Sequence, residues 1–188
     1  MKILRLPIIV VMLSSITVAC SKNPKEIQQS IGELVLSLNE NDKLIEQAGI
    51  DSRVLYVVTP KNDTFNIEYG KQGVIYTLYE KQAHVFPLEE KDKLEKQAGK
   101  IFNESEALFS EYPDIDASQN IFDKNYYRYD TINEIVGKIV QPKKIGVGMT
   151  GLYFPKLKSG YSFSIYANNL DSAANINAMK MFQSIHYK

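Results

Sequence analysis

Tryptophan is absent from the 188 residues, cysteine occurs once and histidine twice. A single cysteine excludes a disulfide within one chain, so packing must hold the fold together. With only His84 and His186 available, imidazole chemistry is confined to two positions. No H-E-x-x-H, no G-x-S-x-G and no paired Cys/His spacing occurs. Neither charge is in excess, with 22 basic and 22 acidic residues. That balance lacks the basic footprint of a nucleic-acid-binding protein. The apolar run "LPIIVVMLSSITVA" at 6–19 falls short of the roughly 20 residues of a membrane span. What the chain has in quantity is aromatic side chains, twelve Tyr and eight Phe. These suit strands and binding surfaces alike.

Lys2 and Arg5, the apolar run and the small residues Val18 and Ala19 have the layout of a secretory signal peptide over 1–19. The only cysteine, Cys20, stands at the junction. Val18-Ala19-Cys20 resembles the end of a bacterial lipoprotein lipobox, with Thr17 departing from the usual Leu. The resemblance implies cleavage before Cys20, acyl chains such as palmitate on Cys20, and a mature lipidated domain over 20–188. Several chains on one residue exceed the requirement for stable anchoring, at about 0.8 kcal/mol per buried CH₂. Ser21, in place of a retention Asp, implies an outer-membrane lipoprotein facing the periplasm. The alternative is ordinary cleavage at the same junction, leaving a soluble periplasmic chain with an amino-terminal cysteine.

The spacing then predicts the following elements. Asn23, Pro24 and Glu26 read as the start of a helix with Ile27, Ile31, Leu34, Val35 and Leu38 on one face. "DKLIEQAG" (42–49) reads as a short helix, "RVLYVVT" (53–59) as a strand and "TFNIEYGKQGVIYTLYE" as a hairpin. "HVFP" adds a short strand. A long amphipathic helix is expected from about 88 to 110, with Leu94, Ala98, Ile101, Phe102, Leu108 and Phe109 on one face. Residues 112–130 show no period and read as a long loop. Thr131 and Glu134 form a capping-box pattern before a helix ending at Pro142. "YSFSIYA" alternates as a strand, and Asp171 caps a final helix to about 185. The sum is an α+β fold: a single domain with a mainly antiparallel sheet packed with amphipathic helices. The last third, "YFPKLKSGYSFSIYANNLDSAANINAMKMFQSIHYK", loosely resembles the hairpin-then-helix ending of PsbP/Mog1-like bacterial lipoproteins, which implies an architecture and no activity.

Few segments carry candidate chemistry. Gly146, Gly148 and Gly151 have the G-x-G-x-x-G spacing of a dinucleotide site, but they lie in an alternating run without a following helix. A twisted or bulged strand is the expectation. Asp114, Asp116, Ser118 and Asn120 match the first ligands of a calcium loop, yet Gln119 replaces the glycine and Asn125 the bidentate Glu. No metal and no cofactor is expected. "NYYRYD", with Tyr126, Tyr127, Arg128 and Tyr129, is the candidate partner-binding cluster, since Tyr and Arg dominate interface hot spots. The competing reading has two of these tyrosines packing on the core. Tyr153, Tyr161 and Tyr166 would extend the same surface.

The expectation is therefore a non-enzymatic, membrane-anchored periplasmic lipoprotein that binds another envelope protein as an accessory or assembly factor, without nucleotide or nucleic acid. Two alternatives stand beside it. One is an immunity or inhibitor lipoprotein neutralising a periplasmic toxin; the other binds a small lipid or glycan.

Overall fold

The computed structural model describes residues 25–79, 84–103 and 106–188. The signal segment, Cys20 and the Asn23 cap lie outside the described residues. In chain order the strands are β1 (Glu26–Ile31), β2 (Leu34–Asn39), β3 (Lys43–Gln47), β4 (Ser52–Val58), β5 (Thr64–Lys71), β6 (Val85–Pro87), β7 (Leu108–Ser110), β8 (Asn125–Ile132), β9 (Ile135–Pro142), β10 (Met149–Phe154), β11 (Tyr161–Asn168) and β12 (His186–Tyr187). The helices are α1 (Lys91–Ala98), α2 (Pro113–Ser118) and α3 (Ser172–Ser184).

Seven strands form one antiparallel sheet in the order β3-β4-β5-β11-β10-β9-β8. A smaller antiparallel sheet has the order β1-β2-β12, and β6 pairs with β7 in parallel. The fold is sheet-rich and mostly antiparallel, with few helices. It is mostly β, where the sequence reading expected α+β.

The alternation of the strands decides where the core sits. Leu55, Val57, Phe65, Ile67, Leu152, Phe154, Phe163 and Ile165 share one face of the large sheet. They pack with Leu34, Leu36 and Leu38 of β2 and Ala174, Ala178 and Phe182 of α3. The alanine stripe of α3 lets that helix lie close to the strands. Asp171 caps it, accepting from Ala174 N–H at 2.7 Å. Ser184 Oγ accepts from Ser37 N–H at 2.9 Å, which ties the end of α3 to the small sheet.

Six expected elements differ, each for a local reason. The expected first helix is the β1–β2 hairpin. Ile31, Leu34 and Leu38 fit a helical period, but Leu34, Leu36 and Leu38 also alternate, and all three are buried. Gly32 breaks the tie. It is the first of two turn residues, with φ +57, where a II′ hairpin turn needs glycine. Its missing Cβ also makes room, since one built there would stand 2.1 Å from the Tyr69 ring.

The expected helix at 42–49 is the edge strand β3, whose five residues are all exposed. With no face to bury, it is held by pairing to β4. The expected long helix over 88–110 is a single 3₁₀ turn followed by α1, which stops at Gly99 in the left-handed region. The Thr131–Glu134 capping box is a turn instead. Asn133 (φ +45) and Glu134 (φ +70) link Ile132 to Ile135 as a two-residue hairpin loop. Asn133 Nδ2 donates to the carbonyls of Gln183 and Ile185, which holds the turn against the end of α3. The 112–130 loop resolves into α2 and the first half of β8. Finally, only the first arm of the 64–79 hairpin is a strand; residues 72–79 form a strap, described below.

Candidate functional site

The second face of the large sheet is tyrosine-rich. Backbone pairing places Tyr129 opposite Lys138, Lys138 opposite Tyr153, and Tyr127 opposite Val140. Gly151 lies opposite both Val140 and Tyr166. The period-two rule thus puts Tyr127, Tyr129, Lys138, Tyr153 and Tyr166 on one side. After β5 the chain turns at Gly73, and the strap brings Tyr76 and Tyr79 onto this face. Ile75 and Leu78 are buried there with Val140, Met149 and Tyr153.

The strap is held at three points. Leu78, at 0% exposure, adopts φ +58, a region that bulky side chains rarely occupy. Gly151 provides its socket, because a Cβ at that position would stand 2.8 Å from Leu78 Cδ1. Tyr76 N–H donates to Glu68 Oε2 at 2.9 Å, and Tyr76 OH donates to the Tyr79 carbonyl at 2.9 Å. The Lys138 ammonium donates to the Thr77 carbonyl.

Lys138 is the centre of the arrangement. Its side chain is 1% exposed. Its ammonium lies 3.1 Å from the centroid of the Tyr79 ring, 5.5 Å from that of Tyr153 and 5.8 Å from that of Tyr127. Among the described residues no carboxylate forms an ion pair with it. The ring faces stand in for a counter-ion, as cation–π geometry allows. Burial pushes the ammonium down to about 8 from the usual 10.5. Outside it, Tyr79 and Tyr129 are more than half exposed, their hydroxyls 3.4 Å apart. The contact with Tyr79 holds the Tyr129 hydroxyl above its ordinary range, and burial does the same for Tyr166.

A pH dependence follows from Lys138. Below pH 8 both folded and unfolded chains carry the proton, and the cost of burying the charge is present in full. Between about 8 and 10.5 the unfolded chain still binds a proton that the folded chain has lost, so stability rises with pH. Urea denaturation of wild type and Lys138→Met in parallel should show their difference moving in favour of wild type from pH 7.5 to pH 9.5. A difference constant across that range would mean that the native ammonium titrates as an ordinary lysine.

The pleat of β8 parts the tyrosine cluster singled out in the sequence. Tyr127 and Tyr129 join the Lys138 face. Tyr126 and Arg128 turn to the other side, where Arg128 Nη1 lies 3.7 Å from Asp130 Oδ2 above a hollow of about 230 Å³. Of the second hairpin, Tyr153 is buried and Tyr166 half-buried on the Lys138 face. Tyr161 stacks instead on Tyr69, centroids 5.1 Å apart, on the core side. Sequence reasoning passed over Lys138, Tyr76 and Tyr79. The available signal was a lysine inside the apolar run "VGKIV".

The other marked stretches are structural. Gly146 (φ +82) and Gly148 (φ +114) shape the loop between β9 and β10, and Gly151 seats Leu78. No strand-to-helix turn is formed there. Asp114, Asp116 and Ser118 lie on α2, where the Asp116 carboxylate accepts from Ser110 Oγ. His84, just before β6, packs edge-on against Phe86, and His186 Nδ1, in β12, lies 2.8 Å from the Ser184 carbonyl. No group of three acidic, His or Cys side chains among the described residues is placed to hold a metal.

A second concavity, a groove of about 930 Å³, runs between β2, the β4–β5 turn and α3. Its floor includes Leu38, Phe65, Ala178 and Met181, and its rim carries Lys61, Asp63, Lys180 and Asp42. Burial raises the Asp42 carboxyl, partly offset by the Asn39 N–H that it accepts.

No family model matches the chain, and no curated protein or solved structure matches it. No helix among the described residues is long and apolar enough to cross a membrane.

Proposed function

We propose that this chain is a membrane-anchored periplasmic lipoprotein, acylated at Cys20 and non-enzymatic, whose mature part, 20–188, is one sheet-rich domain. It binds another envelope protein as an accessory or assembly factor. The observation that carries the binding reading is the second sheet face. Among the described residues helix α3 and the small sheet fill the first face, whereas the second is covered by one strap and presents Tyr79 and Tyr129 around a buried cation. Tyrosines bring large contact area with little side-chain entropy to lose, and a rigid strap presents them preorganised.

The full acylated chain, extracted from membranes, should retain a stoichiometric protein partner. Single Tyr79→Ser and Tyr129→Ser substitutions should each weaken that retention about tenfold or more, as hot-spot truncations costing at least 1.4 kcal/mol do. The melting temperature should stay unchanged in Tyr129→Ser, whose ring is exposed, and fall in Tyr79→Ser, whose ring covers the Lys138 ammonium at 3.1 Å. Retention is compared at a temperature where both variants are folded. Undiminished retention in both variants would remove this face from the reading. The groove beside α3 supports a second reading, a small lipid or glycan ligand seated on its apolar floor.

A further inference from the structure

We infer that the loop of residues 143–148 docks on an anionic phospholipid surface, Ile145 and Val147 entering the interface while Lys143 and Lys144 meet phosphates. The inference rests on the lipoprotein reading, whose anchor sets which end of the molecule meets the membrane.

Topology puts the loop and the start of the described chain at the same end. β10 and β5 run parallel to one another, both antiparallel to β11, so the loop entering β10 and the β4–β5 turn share one end of the sheet. β3 starts at that end, and β1 starts opposite Asn39, where β2 finishes. Direct contacts join the parts. Glu40 N–H donates to the Lys25 carbonyl, Lys61 faces Asp171 at 3.8 Å, and Gly146 N–H donates to the Leu170 carbonyl at 3.0 Å. Glu26, Asn39 and Lys61 all line the groove at this end.

Chain geometry then limits the distances. From Cys20 to Lys25 the chain reaches at most about 18 Å. Across the sheet, β3 and β10 are four strand spacings apart, or about 19 Å. An anchor at Cys20 therefore holds this end against the headgroups, with the loop at the same level.

The loop has the composition of an interfacial contact. Ile145 and Val147 are 48% and 42% exposed at its tip. Single exposed apolar residues need no explanation, but these have company. Tyr126, 63% exposed, lies beside Lys143, whose ammonium is 5.5 Å from the ring centroid and donates to the Asn120 carbonyl. Ile121, 52% exposed, follows Asn120. Apolar tip, aromatic flank and two adjacent lysines, Lys144 exposed and Lys143 half-buried, are the parts of a membrane-surface anchor. The loop is also preformed. Lys144 and Val147 form a β-bridge, and Asn169 N–H donates to the Gly148 carbonyl at 2.7 Å. Three acids of this end are engaged within the chain: Asp171, though exposed, caps α3 and faces Lys61, Asp63 meets Thr59, and Asp42 accepts from Asn39.

The test uses the full chain, produced with its signal segment, purified from membranes and reconstituted in phosphatidylethanolamine–phosphatidylglycerol vesicles. Cys20 is the only cysteine, and acylation occupies its thiol, so one added cysteine takes a fluorophore at a single site. A label on Ile145→Cys should shift to the blue and be quenched by lipid-borne nitroxide. A label on Lys156→Cys, in the turn at the opposite end, should do neither. The signal at 145 should weaken when phosphatidylcholine replaces the anionic lipid. Radiolabelled palmitate, incorporated by wild type and not by Cys20→Ala, reports the anchor separately. Palmitate incorporation with an aqueous signal at 145 overturns the docking alone. Absence of incorporation in wild type overturns the lipoprotein reading, and the docking with it.

Discussion

Replacing Lys138 by alanine should lower the stability of the protein by about 2–4 kcal/mol, read from urea denaturation. The side chain is 1% exposed, so its four methylenes pack beneath Tyr79, Tyr127 and Tyr153 as a core residue's would. Alanine leaves a void there and takes away the donor that serves the Thr77 carbonyl. Lys138→Met separates the two effects. It keeps most of the volume and removes the cost of a buried charge, so its stability should lie within about 1 kcal/mol of wild type. Yet the strap loses its donor. Amide exchange over residues 75–79 should therefore rise in Lys138→Met even where global stability does not fall. If methionine costs as much as alanine, the ammonium is a principal source of stability and the account of packing is wrong. If strap exchange is unchanged, the bond to Thr77 does not hold the strap.

Phe182→Ala should cost about 3–5 kcal/mol, the largest single effect expected. Phe182 is fully buried, on the same stripe of α3 as Ala174 and Ala178. The two alanines bring the helix close to the sheets, and the ring fills the space between them. Loss of the ring should also loosen the small sheet, because β12 follows α3 directly and pairs with β2. Limited proteolysis should then cut the β1–β2 hairpin at lower protease. Ile176→Ala, on the exposed side of the same helix, should change stability by no more than about 0.5 kcal/mol. Equal costs at the two positions would mean that α3 is not seated as described.

The elements legible in the sequence were those in which one period alone fitted. β4, β5 and β11 alternate cleanly, and α3 carries its own capping Asp171 and a helical stripe. The misread elements satisfied two patterns at once. In β1–β2 the same leucines serve a helical and an alternating reading, and the difference lies in one glycine turn. In Thr131–Glu134 a capping-box spelling sits where two positive-φ residues make a hairpin loop, which Asn133 secures by bonds to carbonyls about fifty residues away. The edge strand β8 had no apolar alternation to reveal it. Its residues owe their strand to β9.

The candidate site was half legible for the same reason. The tyrosines of "NYYRYD" could be picked out as aromatic surface, but the side to which each points depends on the register with β9. Lys138 was marked only by its place in the apolar run "VGKIV"; the side to which it points, and its cover of three rings, depend on that same register. By itself the sequence determined the absence of disulfides, the balance of charge, the capped last helix and the strands of unambiguous period, since each depends on residues near one another in the chain. Only the tertiary structure decided that a strap crosses the second sheet face, that a lysine beneath it is enclosed by tyrosines, and that the 143–148 loop shares an end with the start of the described chain. Those depend on pairing between distant segments, where burial and register override local preference.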